Sequence, residues 1–381
     1  MSYESSFTQE APIEEKFITF LPHSGLHNQR IALINALVLA KALNRTLIVP
    51  ELNIGVATFW RPSPGLELRL DQCTHGENAR SCSDYRQYVP VPAKAIFDLS
   101  PLEKFGIRTI ERLDMRRDYF ERNWGVPLDA RNASLVYQFE DNARYSYQLY
   151  DKKNGKKHPG NFATKVYLED LRSQQEKFIL FGSLFGSHRL VLEEDAELIL
   201  IREYLRQELA IIHPAVRESA ANVVDHLGGP AQFVSIHLRQ GDGVFRKTVS
   251  VTLDQIRTRL QAQTSTTQDD IAFERLNAVA DNRMQLLKEC IRASSPDPRL
   301  QVIYMATDAP QPRERFASLY SEFLCLFSLH DFPQISVSKL LLPLVDAEVA
   351  AHASNFIGTP KSTYTGYIQQ RNEHFLYTRS T

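Results

Sequence analysis

Val234-Ser-Ile-His237-Leu-Arg239-Gln-Gly241-Asp242 is the stretch from which the rest of the chain can be read. Val234, Ile236 and Leu238 alternate with Ser235, His237 and Arg239, the period-two pattern of a short buried strand. That pattern puts His237 and Arg239 on one side of the strand, at its carboxyl end. In an open α/β sheet, ligands bind at that end. Gly241 turns the chain where a side chain would obstruct a close ligand, and Asp242 adds an acceptor. A guanidinium at a strand tip calls for a carboxylate or a phosphate opposite it. The plain alternative is a structural ion pair that closes the strand.

Working outward, the strand is predicted over residues 232–238, and regular alternation follows it. A helix is expected at 253–262, then a polar insertion at 263–270, a helix at 281–293 and a strand at 301–305. A helix at 313–323, a strand at 324–327, a helix at 341–353, a strand at 355–358 and a helix at 361–370 complete a βαβ series with a parallel sheet. Toward the amino end, helices are expected at 193–209 and 214–227, the first opening on Glu193-Glu-Asp195, which suits a helix N-terminus. Residues 16–21 read as a strand, 22–28 as a turn, 29–43 as a strongly apolar helix of good helix formers, and 46–49 as a second strand. This β-loop-α-β unit opens a doubly wound α/β domain. Between 51 and 160, Pro and Gly punctuate the chain, and 135–139 is the clearest strand; 177–181 is another buried one. Gly228-Gly-Pro230 is the expected boundary between two α/β domains, 16–228 and 229–375.

Composition narrows the function classes. The chain has 381 residues, 43% hydrophobic and 23% charged, with 44 Lys and Arg against 45 Asp and Glu. A net charge of -1 offers no field for nucleic acid or acidic membranes. No run approaches the ~18 consecutive apolar residues of a membrane span. Met1 to Glu10 is polar and lacks the apolar centre of a signal peptide, which fits either the cytosol or a sequence given without its leader. Of the four cysteines, Cys73 and Cys82 sit in one loop and could close a small ring, whereas Cys290 and Cys325 read as core thiols. No spacing resembles a zinc site. Asn44-Arg-Thr46 and Asn132-Ala-Ser134 match the glycosylation pattern, as chance matches do in a chain this long.

Four stretches set polar residues just beyond strand ends: His23 to Arg30, His237 to Asp242, Ala306-Thr307-Asp308, and Ile357 to Tyr364. Helix-start amides and hydroxyls at Ser362 and Thr363 form a phosphate cradle. Each stretch has a plain alternative. Asp308, Ser362, Thr363 and Asn28 could cap helices, and His23 and His27 could satisfy backbone groups. Capping, however, does not require all four stretches to sit at strand carboxyl ends.

Gly25-Leu-His-Asn-Gln-Arg30 with its apolar helix and Thr-Leu-Ile-Val-Pro-Glu51, then His-Leu-Arg-x-Gly-Asp242, Ala-Thr-Asp308 and Ser354-Asn-Phe-Ile-Gly358 with Ser362-Thr363, resemble the GDP-fucose protein O-fucosyltransferase family over roughly residues 16–373. The resemblance implies a GT-B architecture, two Rossmann-like domains facing across a cleft, with the acceptor on the amino-terminal domain and GDP-fucose on the carboxyl-terminal one. It implies an inverting transfer of fucose to a hydroxyl, that of a protein Ser or Thr or of a glycan, with GDP-fucose as donor substrate, no cofactor and no metal. By motif, Arg239 would hold the β-phosphate and stabilise the leaving GDP. His237 and Asp308 would hold guanosine, with Gly241 and Asp242 beside them, Ser362 and Thr363 would take the phosphates, and Asn28 would line the fucose and acceptor side. A fixed guanidinium and helix-start amides would meet the charge that builds on the diphosphate. The family usually acts in the lumen of the endoplasmic reticulum or Golgi.

Some relatives carry a glutamate base in the first loop. Here that loop offers His23, His27 and Asn28, so His27 is the candidate base. A nucleotide-sugar-binding protein without transfer activity, acting as sensor or scaffold, is the rival from another class. Neither Gly-x-Ser-x-Gly nor Gly-x-Gly-x-x-Gly follows the first strand, which weighs against a hydrolase or dehydrogenase. A glycosidase would need two facing carboxylates, and the marked loops contain only Asp242 and Asp308.

Overall fold

A computed structural model of the protein describes residues 15–74, 80–85, 87–128, 134–139, 141–153, 160–241, 243–262, 268–293, 295 and 297–380. It divides into two compact units, Met1–Ala93 with Ser100–Arg202, and Lys94–Leu99 with Glu203–Thr381. The division falls inside the helix Ala196–Glu208, ahead of Gly228. The helix Pro214–His226 packs on Leu342–Ala351 within the second unit.

The first unit contains β1 (Phe17–Phe20), β2 (Thr46–Pro50), β3 (Leu52–Asn53), β4 (Pro90–Val91), β5 (Thr109–Arg112), β6 (Val136–Gln138), β7 (Tyr147–Tyr150), β8 (Thr164–Tyr167), β9 (Phe178–Phe181) and β10 (Leu190–Val191). Five of them form a parallel sheet in the order β5-β2-β1-β9-β6. Every residue of β1, β2 and β9 is buried, which is why these strands read as unbroken apolar runs. Phe17, Ile48, Phe178 and Leu180 pack against Tyr119, Phe120 and Val126. A smaller parallel sheet, β10-β7-β8, and the antiparallel pair β3-β4 complete the unit.

The second unit is one four-stranded parallel sheet of β11 (Val234–Leu238), β12 (Ile303–Thr307), β13 (Leu326–Ser328) and β14 (Asn355–Gly358), ordered β13-β12-β11-β14. The direction of winding reverses between β11 and β14, which makes that junction a topological switch point. Val234, Ile236 and Leu238 face Ile256 and Leu260 of the helix Gly243–Ala262, with Phe316, Leu319 and Phe323 alongside. Across the sheet, the Ser235 hydroxyl donates to Ala350 O in the helix Leu342–Ala351, at 2.7 Å. Helices therefore cover both faces, the doubly wound α/β arrangement expected from the sequence.

Several expected boundaries move. The helix expected at 253–262 begins at Gly243, because residues 243–252 mix β-branched and polar types and gain their helicity from packing on β11 and β14. The strand expected at 301–305 runs from Ile303 to Thr307, so only Asp308 of Ala306-Thr307-Asp308 lies beyond it. The helix expected at 313–323 breaks at Phe316, and the last helix extends to Ser380. Asn44 is the left-handed C-cap of Leu26–Leu43 and Thr46 is a buried strand residue. Asn132 and most of the 263–270 insertion lie outside the described residues.

Cys290 and Cys325 are a disulfide and not two core thiols, which corrects the sequence reading. The helix Arg283–Ala293 lies against the entry to β13 with the two Cα atoms 6.0 Å apart, a distance that sequence separation alone does not reveal. Cys73 and Cys82 form the other disulfide. Replacing Cys290 and Cys325 together by serine should destabilise the protein by about 4 kcal/mol, the chain-entropy value for their 35-residue separation. Thermal melts of the double variant and of the reduced wild type check this, and an unchanged Tm in both would remove the bond's contribution.

Candidate functional site

A cavity of about 430 Å³ lies over the carboxyl ends of β11, β12 and β13 in the second unit. Its lining joins His237 and Arg239 after β11, Thr307 and Asp308 at the end of β12, and Ser328 and His330 after β13. Met305, Leu329, Phe332, Pro333, Ile335, Leu342 and Pro343 make the apolar wall, while Asp346 and Tyr364 come from the helices Leu342–Ala351 and Thr363–Ser380. A mainly apolar pocket with a few convergent polar groups is the usual form of a small-molecule site.

His237 occupies the switch point. It is buried, its Nδ1 lies 2.7 Å from Thr365 Oγ1, and its ring sits 4.7 Å from that of Tyr364. Burial, reinforced by the Arg239 charge, pushes its pKa down to about 3, so the ring is neutral at physiological pH. Arg239 is half-buried, and its guanidinium stacks 4.8 Å from the Phe245 ring. Gly358 on β14 has no room for a side chain, since a Cβ would meet Thr365 Cγ2 at 2.2 Å.

Asp308 lines the cavity and also holds the exit of β11. Its Oδ1 accepts from Gln240 N and its Oδ2 from Gly241 N, each at 2.8 Å. Ser362 is buried, and its Oγ accepts from Thr365 N at 3.4 Å, as a helix-capping residue does. Neither Ser362 nor Thr363 lines the cavity. Asp242 lies outside the described residues.

The sequence reading missed Asp346, which sits in an apolar helix and looks like one of its solvated residues. In the fold it is buried at the cavity wall, where it accepts from the Tyr304 hydroxyl and, at 3.2 Å, from Thr307 N. Burial pushes its pKa up to about 7 against those hydrogen bonds. Tyr304, an inward residue of an otherwise aliphatic strand, was the available signal, because a buried phenol needs a partner.

The other expected site residues belong to the first unit. The helix begins at Leu26 with Gly25 as N-cap, so His27 and Asn28 lie in its first turn, and Asn28 is not the cap. Asn28 Oδ1 is buried and accepts no hydrogen bond among the described residues. His27 is buried as well. His23 bridges Ser24 Oγ at 2.8 Å and Ser183 Oγ at 2.6 Å, and burial pushes its pKa down to about 3. Glu51 follows β2 at the edge where the Pro22 turn leaves β1; burial and the Asp114 charge push its carboxyl up to about 7. Among the described residues, no group of three or more His, Cys, Asp or Glu side chains is placed to hold a metal.

Both buried histidines tie stability to pH. Unfolded histidine takes its proton near pH 6.5, while His23 and His237 resist it down to about 3. Their contribution is complete above pH 6.5 and is lost as pH falls toward 3, at up to about 1.4 kcal/mol per pH unit for each. His237→Gln should therefore lower the Tm at pH 7.5 more than at pH 4.5, and an equal loss at both would contradict this linkage.

A family model for GDP-fucose protein O-fucosyltransferases matches residues 17–375. Among solved structures, POFUT1 in complex with GDP-fucose aligns with 94% of this chain and 95% of its own, at 13% identity and a TM-score of 0.45. POFUT1 in complex with GDP aligns over 96% of each chain at 13% identity and a TM-score of 0.45. The fucosyltransferase NodZ from Bradyrhizobium aligns over 93% of each chain at 14% identity and a TM-score of 0.41. No curated protein matches the sequence.

Proposed function

The chain belongs to the GDP-fucose protein O-fucosyltransferase family and is a glycosyltransferase, and we propose that it transfers fucose with inversion, and without a metal, from GDP-fucose to a Ser or Thr hydroxyl of a protein. The observation that carries this reading is the second unit's cavity, with Arg239 and neutral His237 at the sheet edge and the Asp346 carboxylate against an apolar wall. Guanine presents two donors, N1–H and its exocyclic amine, to a carboxylate; adenine's corresponding edge offers an unprotonated ring nitrogen. Asp346 therefore selects guanine, and the apolar wall holds its faces.

Arg239 takes the β-phosphate and meets the charge that grows as the bond from the anomeric carbon to the phosphate oxygen breaks. In this reading the start of Thr363–Ser380, with Ser362 and Thr363, takes the same anion. The acceptor hydroxyl attacks the anomeric carbon from the side opposite the leaving GDP, which inverts it. Asn28, with its open Oδ1, lines the fucose and acceptor side, and His27 takes the hydroxyl proton. Glu51 is the second candidate base, since a carboxyl with a pKa of about 7 is matched to neutral operation. His23 is not a base in this reading, as it stays unprotonated down to about pH 3. The two disulfides suit an oxidising compartment, in keeping with the lumen of the endoplasmic reticulum or Golgi. No helix among the described residues is long and apolar enough to cross a membrane.

Guanine donors require ionised Asp346, which the free protein protonates below about pH 7. GDP affinity should therefore fall by up to about tenfold per pH unit below 7 and level off above it. Calorimetry with GDP from pH 6 to 8.5 measures this, and Asp346→Asn should flatten the profile and erase the preference over ADP. A flat wild-type profile would remove Asp346 from base recognition. Arg239→Ala should cut GDP release from GDP-fucose by about a hundredfold or more with Tm unchanged, and a chelator should leave the wild-type rate unaltered. Near-normal turnover of the variant, or a chelator loss reversed by manganese, would overturn the respective step.

A further inference from the structure

The loop that leaves β11 has its backbone held by side chains at successive residues. The Thr307 hydroxyl donates to Leu238 O at 2.7 Å, and Arg239 N donates to Thr359 Oγ1 at 3.0 Å. Gln240 N and Gly241 N each donate to one oxygen of Asp308, and Arg246 donates to Gly241 O at 3.2 Å. Three consecutive N–H groups that would otherwise face water are thus fixed by two side chains. Gly241 shows how close this approach is, because a Cβ there would stand 2.6 Å from Asp308 Oδ2. Asp308 thus ties the exits of β11 and β12 together through both of its oxygens. Its effect falls on Arg239, because the held backbone sets the point from which that side chain starts.

We propose that Asp308 is a positioning residue: it fixes the backbone at Gln240 and Gly241 so that Arg239 meets the second phosphate of a nucleoside diphosphate, and it does not hold the nucleoside. This rests on the donor reading given above. Thr359 performs the matching task from β14, since its hydroxyl also donates to His237 O at 2.7 Å. The glycine of His-x-Arg-x-Gly is required by the carboxylate beneath it and not by the ligand above it.

Calorimetric titration of wild type, Asp308→Asn and Gly241→Ala with GDP and with GMP tests this, since GMP lacks the phosphate assigned to Arg239. Asparagine presents one amide nitrogen to a backbone donor, and alanine drives a methyl group into Oδ2. Both variants should lose about tenfold or more in GDP affinity while GMP affinity stays within about threefold. Gly241→Ala keeps the carboxylate, so it carries the test alone if Asp308→Asn fails to fold. Equal losses for GMP and GDP would place Asp308 on the nucleoside and overturn the proposal, as would an unchanged ratio of the two affinities. Wild type that binds neither nucleotide would instead sink the donor reading, and this proposal with it.

Discussion

Where a parallel sheet ends, its last backbone groups lose their ladder partners, and something has to meet them. At the carboxyl end of β11 the partners are side chains from the neighbouring strands' exits, Asp308 after β12 and Thr359 after β14. This fixes the backbone of the loop that leaves β11. The proposed role of Arg239 depends on it, because a guanidinium helps at a breaking bond only if little reorganisation remains when charge develops. Water could satisfy the same amides but would leave the loop free to move.

The charges around the cavity follow the same logic. His237 is kept neutral by burial and by the neighbouring guanidinium, so it adds a hydrogen-bonding ring at the switch point without competing for the anion. Asp346 is held near the midpoint of its titration by desolvation acting against two donors. A ligand that brings further donors tips that balance toward the carboxylate.

In the first unit, too, side chains bind adjacent loops at the sheet's edge. His23 after β1 meets Ser183 after β9, and Gln29 in the first turns of Leu26–Leu43 bonds Ser24 O, Asn53 O and Asn53 N. His23 serves here as a neutral linker, since burial keeps its ring unprotonated down to about pH 3. The carboxyl group matched to neutral pH stands at the end of the next strand, at Glu51.

Residue pattern alone was enough for the α/β class, the strands β1, β2, β9, β11 and β14, and the convergence of His237, Arg239 and Asp308. Buried central strands are continuous apolar runs, and polar residues just past them have few other reasons to be there. It was not enough for the Cys290–Cys325 bond, for Asp346 as part of the cavity, or for the object that Asp308 binds. A disulfide, a buried carboxyl and a clamped loop each join residues far apart in the chain, and local periodicity carries no distance between them. Type and period settle which residues turn inward; only the packed sheet and its covering helices decide what each of them meets.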